Sequence, residues 1–180
     1  MYNIFFNRNF VCIAVIFLIV SCDSHPTKKS TYINKNYDGF TIAEIEWQGT
    51  PLSQEIEKHA QLAKGLGLNV FIQITAQWCS PCKRLRAKTE EPLMKQAYHG
   101  TYIIRLDRDE WEQDFAEIGV IKTPLPIFWE LGDDLKTTDY ALNGNYWKEI
   151  TPAALSPILK AYFSGRARQY LSEKPKANDL

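Results

Sequence analysis

An apolar run that feeds directly into two closely spaced thiols constrains this chain more than any other feature. Val70-Phe71-Ile72-Gln73-Ile74-Thr75 is rich in β-branched and aromatic residues and predicts a buried strand. It leads into Ala76-Gln77-Trp78-Cys79-Ser80-Pro81-Cys82-Lys83, and the segment from Lys83 to Ala97 predicts a mostly helical stretch. Cys79 therefore falls where a helix begins. Ser80 and Pro81 occupy the first turn, where backbone N–H groups lack intrahelical partners and proline costs little. Those N–H groups and the helix dipole favour a thiolate at Cys79, and Lys83, Arg84, Arg86 and Lys88 add positive charge nearby.

Three readings compete for such a pair. A redox-active dithiol that cycles with a Cys79–Cys82 disulfide is the first. A structural staple is the second, but closing so short a loop stabilises by only roughly 2 kcal/mol, against about 4.7 for a 100-residue loop. Half of a zinc site is the third and would need two further ligands. Cys12 and Cys22 lie in a leader segment, and His25, His59 and His99 show no ligand spacing, so no metal is expected. The redox reading is preferred.

The chain has 180 residues, 45% of them apolar, and a formal net charge of zero. Those values fit one globular domain with a real core and give no hint of nucleic acid. Phe10 to Val20 is an unbroken apolar run preceded by Arg8. It suits the h-region of a signal peptide and is too short for a bilayer span, which takes about 20 residues. The run ends in Ile19-Val20-Ser21-Cys22, which resembles the lipobox of bacterial lipoproteins and implies lipidation of Cys22. Isoleucine stands there in place of the commoner leucine. Export would make a disulfide chemically permissible and leave only Cys79 and Cys82 as thiols.

The expected organisation is a signal peptide over 1–21, a polar tether over 22–39, a domain over 40–165 and a polar tail over 166–180. Within the domain, Phe40 to Trp47 alternates as a strand, and Thr50-Pro51 opens a helix with Thr50 as N-cap. Leu52, Ile56, Ala60 and Ala63 form its apolar face, and Gly65 and Gly67 end it. Strands follow at Val70–Thr75, Thr101–Leu106, Ile127–Glu130 and Thr138–Leu142, with a short helix from Glu110 to Ile118. Leu131-Gly132-Asp133-Asp134 makes a hairpin turn, and Thr151-Pro152 caps a last helix running to Phe163. The order predicts an α/β fold with a mixed sheet covered by helices.

From Val70 to Phe163 the chain resembles the thioredoxin fold, in element order and in Trp78-Cys79-x-Pro81-Cys82-Lys83 after a buried strand. Gly119-Val120-Ile121-Lys122-Thr123-Pro124, just before the hairpin, adds a second mark. The resemblance implies a cis Thr123–Pro124 bond facing the dithiol, with the Thr123 backbone pairing with a substrate chain. Cys82-Lys83…Thr89-Glu90-Glu91-Pro92-Leu93, with Ala87 where thioredoxin carries a kinking proline, is similar to the domains of exported disulfide reductases.

The resemblance further implies that Cys79 is the nucleophile, Cys82 the resolving thiol, and Trp78 part of the contact surface. No cofactor is needed, since exchange passes through sulfur alone. Two departures stand out. Gln73 replaces a buried aspartate thought to shuttle a proton for the second thiol, and Arg105 replaces its lysine partner. With an amide there, Cys82 is expected to lose its proton to water or to the departing thiolate. Gln73 could equally be a buried amide that only needs its hydrogen bonds. Pro126 removes a donor from the next strand, and Tyr146 and Trp147 are candidates for a partner groove or for core cover.

The expectation is a monomeric, membrane-tethered thiol:disulfide oxidoreductase, more a reductase than an oxidase or isomerase. Its substrates would be exported protein disulfides, and its electron donor a membrane or periplasmic electron-transfer partner. The alternative is a non-catalytic module that docks extended peptides at the Thr123–Pro124 edge.

Overall fold

A computed structural model of the chain describes residues 32–120, 125–144 and 147–166. The expected signal segment with Cys12 and Cys22, the Thr123–Pro124 bond, Tyr146 and residues 167–180 lie outside the described residues.

In chain order the elements are β1 (Tyr32–Tyr37), β2 (Phe40–Ile45), α1 (Leu52–Leu66), β3 (Asn69–Thr75), α2 (Ser80–Lys88) and α3 (Pro92–Tyr98). They continue with β4 (Thr101–Asp107), α4 (Arg108–Trp111), a 3-10 turn (Phe115–Ile118), β5 (Ile127–Leu131), β6 (Thr137–Asn143) and α5 (Pro152–Phe163). The sheet runs β1-β2-β4-β3-β5-β6. β2, β4 and β3 are parallel, while β1, β5 and β6 pair antiparallel to their neighbours. The expected α/β class with a mixed sheet between helices is what forms.

Both faces of the sheet are covered. Phe40, Phe71, Ile103, Phe128 and Leu142 meet Leu85 of α2, Met94 and Tyr98 of α3, and Leu155 and Leu159 of α5 in one core. Ala43, Ile72, Ile74, Ile104 and Trp129 meet Leu52 and Ile56 of α1 and Phe115 and Ile118 of the 3-10 turn in the other. The near-continuous apolar run of β3 reflects this two-sided burial.

The domain begins earlier than residue 40. Tyr32–Tyr37, expected to be tether, pairs with all of β2, Tyr37 lying opposite Phe40. The two-residue Asp38-Gly39 turn makes the pairing possible, because Gly39 takes φ 81°, a conformation costly for other residues. The strand reads as polar because it lies at the sheet edge.

At the start of α1 the structure also differs from the expected cap. Pro51 holds the cap position, its carbonyl accepting from the N–H groups of Gln54 and Glu55, and no side-chain cap bond forms. Glu117, on the 3-10 turn, supplies the missing acceptor by taking the Ser53 N–H at 3.0 Å. Ala60 is only half-buried, and His59 takes its place in the core. Gly65 lies inside the helix, and Gly67 alone ends it in the left-handed conformation. Thr151, by contrast, caps α5 as expected, accepting from the Ala154 N–H at 3.3 Å.

Candidate functional site

β3 ends at Thr75, and the chain crosses Ala76 to Trp78 before α2 begins at Ser80. Cys79 is the N-cap of α2, with Pro81 in its first turn. Cys79 Sγ accepts the Cys82 backbone N–H at 3.2 Å and is bonded to Cys82 Sγ, the Cα atoms lying 5.2 Å apart. A sulfur at a helix N-terminus with a backbone donor aimed at it is placed for stabilisation as a thiolate once the bond is reduced.

In the disulfide form Cys79 and Cys82 are each only 3% exposed. Ala76 packs on both, and Leu125 covers them from the chain preceding β5. In the sequence, the only signal of Leu125 is its place beside Pro126 before an apolar strand. The cis peptide bond among the described residues is Leu125–Pro126, two residues beyond the Thr123–Pro124 bond expected to be cis.

Trp78 is 60% exposed, so its contribution to the core is small and it presents an indole beside the disulfide. Its Nε1 donates to Asp109 Oδ2 at 2.8 Å, and Asp107 fixes α4 by accepting the Asp109 N–H. Trp147, by contrast, is buried against Phe128 in the core under α5. Of the basic residues on α2, Arg84 donates to the Ser80 hydroxyl at 2.9 Å, Arg86 pairs with Glu44, and Lys88 pairs with Glu91. Lys83, directly after Cys82, is exposed.

On the sheet face that packs against α2 lies a largely buried polar row. Gln73 on β3 is in register with Arg105 on β4, and Arg105 with Glu44 on β2. Arg105 Nε donates to Gln73 Oε1 at 2.7 Å and its Nη1 to Glu44 Oε1 at 2.6 Å, while Arg86 reaches Glu44 Oε2 at 2.8 Å. Arg105 Nη2 is buried with no hydrogen-bond partner among the described residues. Burial lowers the Arg105 pKa, and the Glu44 carboxylate opposes that shift. A cleft of about 380 Å³ opens over the row and up to the thiol loop, with Glu44, Arg105, Arg86, Lys83, Ala76 and Asp107 on its wall.

A family model described as thioredoxin matches residues 53–149, more than half of the chain. The chain belongs to the thioredoxin family. Among solved structures, a Fasciola hepatica thioredoxin is similar at 24% identity over 61% of this chain and 93% of that one, with a TM-score of 0.42. A disulphide isomerase from Xylella fastidiosa is similar at 14% identity over 63% of this chain and 92% of that one, with a TM-score of 0.49. A Plasmodium falciparum thioredoxin matches 81% of this chain and 98% of its own length at 18% identity, with a TM-score of 0.41. In this thioredoxin-family domain the Cys79–Cys82 pair is the group suited to thiol–disulfide redox chemistry, and Glu44 is the partner of the buried row that no sequence motif marked.

Proposed function

We propose that the chain is an exported, membrane-tethered thiol:disulfide oxidoreductase that reduces disulfides in other exported proteins. The observation that carries this reading is the Cys79–Cys82 disulfide at a helix N-terminus in a thioredoxin-family domain. In the reduced form, the Cys79 thiolate attacks a substrate disulfide. A Cys79–substrate S–S bond forms, the substrate bond breaks, and the departing sulfur leaves as a thiolate that takes up a proton. Cys82, deprotonated, then attacks Cys79 Sγ and expels the second substrate sulfur. Two electrons pass to the substrate, and Cys79–Cys82 is left oxidised. The exposed Trp78 indole lies where a docking chain would meet it. Thr123 and Pro124, preceding the Leu125 that covers the sulfurs, are the proposed backbone contact.

The reducing direction rests on the similarity of the Cys82-to-Leu93 segment to exported disulfide reductases, and it requires an electron-transfer partner at the membrane or in the periplasm. Trapping thiols in intact cells and reading the mass of the Cys79–Cys82 peptide tests it. A mostly dithiol steady state supports a reductase; a mostly disulfide one assigns the protein to oxidation instead.

The tether rests on Ile19-Val20-Ser21-Cys22. Cys22→Ala is expected to move the protein from the membrane to the soluble fraction or to block its processing. Mass spectrometry that finds an unmodified mature N-terminus at another residue overturns the lipid anchor.

A further inference from the structure

Glu44 stands between two guanidinium groups. Its Oε1 accepts from Arg105 Nη1 at 2.6 Å and its Oε2 from Arg86 Nη1 at 2.8 Å. One carboxylate shared by two arginines leaves the row with one positive charge in excess. Gln73, on the next strand, gives Arg105 Nε a neutral oxygen and no charge. The Arg105 side chain is only 5% exposed, and its Nη2 has no hydrogen-bond partner among the described residues. A buried cationic donor without an acceptor is costly. The Tyr98 hydroxyl is also buried without a partner, but burial raises its pKa, so it stays neutral and brings no anion.

Arg105 lines the cleft of about 380 Å³, and with Nε and Nη1 already engaged, Nη2 is the donor it has left to offer there. Lys83 and Arg86 of α2 line the same cleft. Lys83 is exposed, and its ammonium enters none of the ion pairs among the described residues. Ile33, in register with Glu44 and 52% exposed, adds an apolar wall. Glu46, Asp107 and Glu110 complete the charged lining; Asp107 accepts the Asp109 N–H and Glu110 the Trp47 N–H. These carboxylates narrow the choice of ligand. A doubly charged phosphate would be repelled, whereas one carboxylate on a short apolar stem offsets the single excess charge.

We propose that the cleft is a carboxylate-binding site, in which Arg105 Nη2 donates to the bound oxygen, Lys83 attracts the anion from the surface and Ile33 flanks its stem. Ala76 and Gln77 line the same cleft, and Ala76 packs on both sulfurs, so the ligand lies beside the disulfide. The carboxylate belongs either to a small free acid or to an acidic side chain of a protein docked at the thiols. The site goes beyond the redox reading and needs no turnover.

The probe is butyrate, with butyramide as its uncharged counterpart, titrated into the oxidised full chain at constant ionic strength. Backbone amide shifts of Ala76, Gln77 and Lys83 are followed by NMR. Wild type is expected to saturate with butyrate and to ignore butyramide. Arg105→Gln is expected to weaken butyrate binding about tenfold or more, and Lys83→Ala about two- to fivefold. Glu44→Gln keeps an acceptor for Arg105 and removes the competing charge, so it is expected to tighten butyrate binding about fivefold. A merely structural row gives no such gain, and this variant decides if Arg105→Gln does not fold. Absence of saturation, an equal response to butyramide, or a Glu44→Gln affinity that is unchanged or weaker overturns the proposal. Reduction of a cystine peptide bearing Glu beside its cysteine, compared with the same peptide bearing Gln, distinguishes the sources. A Glu preference that Lys83→Ala diminishes assigns the carboxylate to a docked substrate, and equal rates assign it to a free acid. Butyrate binding is read on the oxidised protein, so its failure and a failure of the oxidoreductase reading are seen separately.

Discussion

Asp109 holds the exposed Trp78 indole through an Nε1–H···Oδ2 bond of 2.8 Å, so the largest apolar group beside the disulfide is positioned by a residue thirty-one places along the chain. An exposed aromatic fixed in this way presents a preformed surface to a docking chain and loses little rotamer freedom on contact. Asp109→Ala is expected to lower kcat/KM on a protein disulfide by about three- to tenfold, the worth of one modest hydrogen bond, while leaving unfolding free energy within about 1 kcal/mol. Steady-state kinetics beside denaturant titration check both. An unchanged kcat/KM would show that Trp78 is free of this restraint during turnover.

The features legible in the sequence were local ones. β3 announced itself by its β-branched run, α5 by the Thr151-Pro152 cap, and α2 by the proline two residues past Cys79. Pairings across the sheet left less trace. Tyr32–Tyr37 looked like tether because an edge strand needs few apolar residues, although Asp38-Gly39 between it and Phe40 was a hairpin signal. Glu44 carries no motif: it matters only because strand register sets it beside Arg105, which is sixty-one residues away. Asp109 and Leu125 carry no motif either, and each matters only through where the fold sets it. The site's cysteines were readable from spacing, and the residues that hold and cover them were not.

The β1–β2 turn gives a direct stability test. Gly39 has φ 81°, and a Cβ there would stand 2.3 Å from the His99 ring. Gly39→Ala is expected to cost roughly 1–3 kcal/mol, part backbone strain and part displacement of His99. Urea unfolding measures it. A neutral result would mean that the turn adopts another conformation.

His59 should make the domain acid-sensitive. It is fully buried on α1, with Nδ1 and the Tyr102 hydroxyl sharing a 2.7 Å hydrogen bond. Burial holds its pKa at about 4, against 6.5 for an unperturbed histidine; Lys58 lowers it further and Glu55 opposes. Because the folded value is the lower one, its stabilising contribution is complete above pH 6.5 and is lost as pH falls towards about 4. His59→Gln is expected to be less stable than wild type at neutral pH and to lose less stability on acidification. Equal slopes of unfolding free energy against pH would contradict this.

Sequential disulfide exchange through Cys79 and Cys82 is tested by a single assay: reduction of insulin by wild type, Cys79→Ser and Cys82→Ser under one reductant, with products separated on non-reducing gels. Cys79→Ser is expected to show no reduction above background. Cys82→Ser is expected to stall as mixed disulfides that dithiothreitol releases, because the thiol that resolves them is gone. If both variants reduce insulin as fast as wild type, Cys79 and Cys82 are not the catalytic pair.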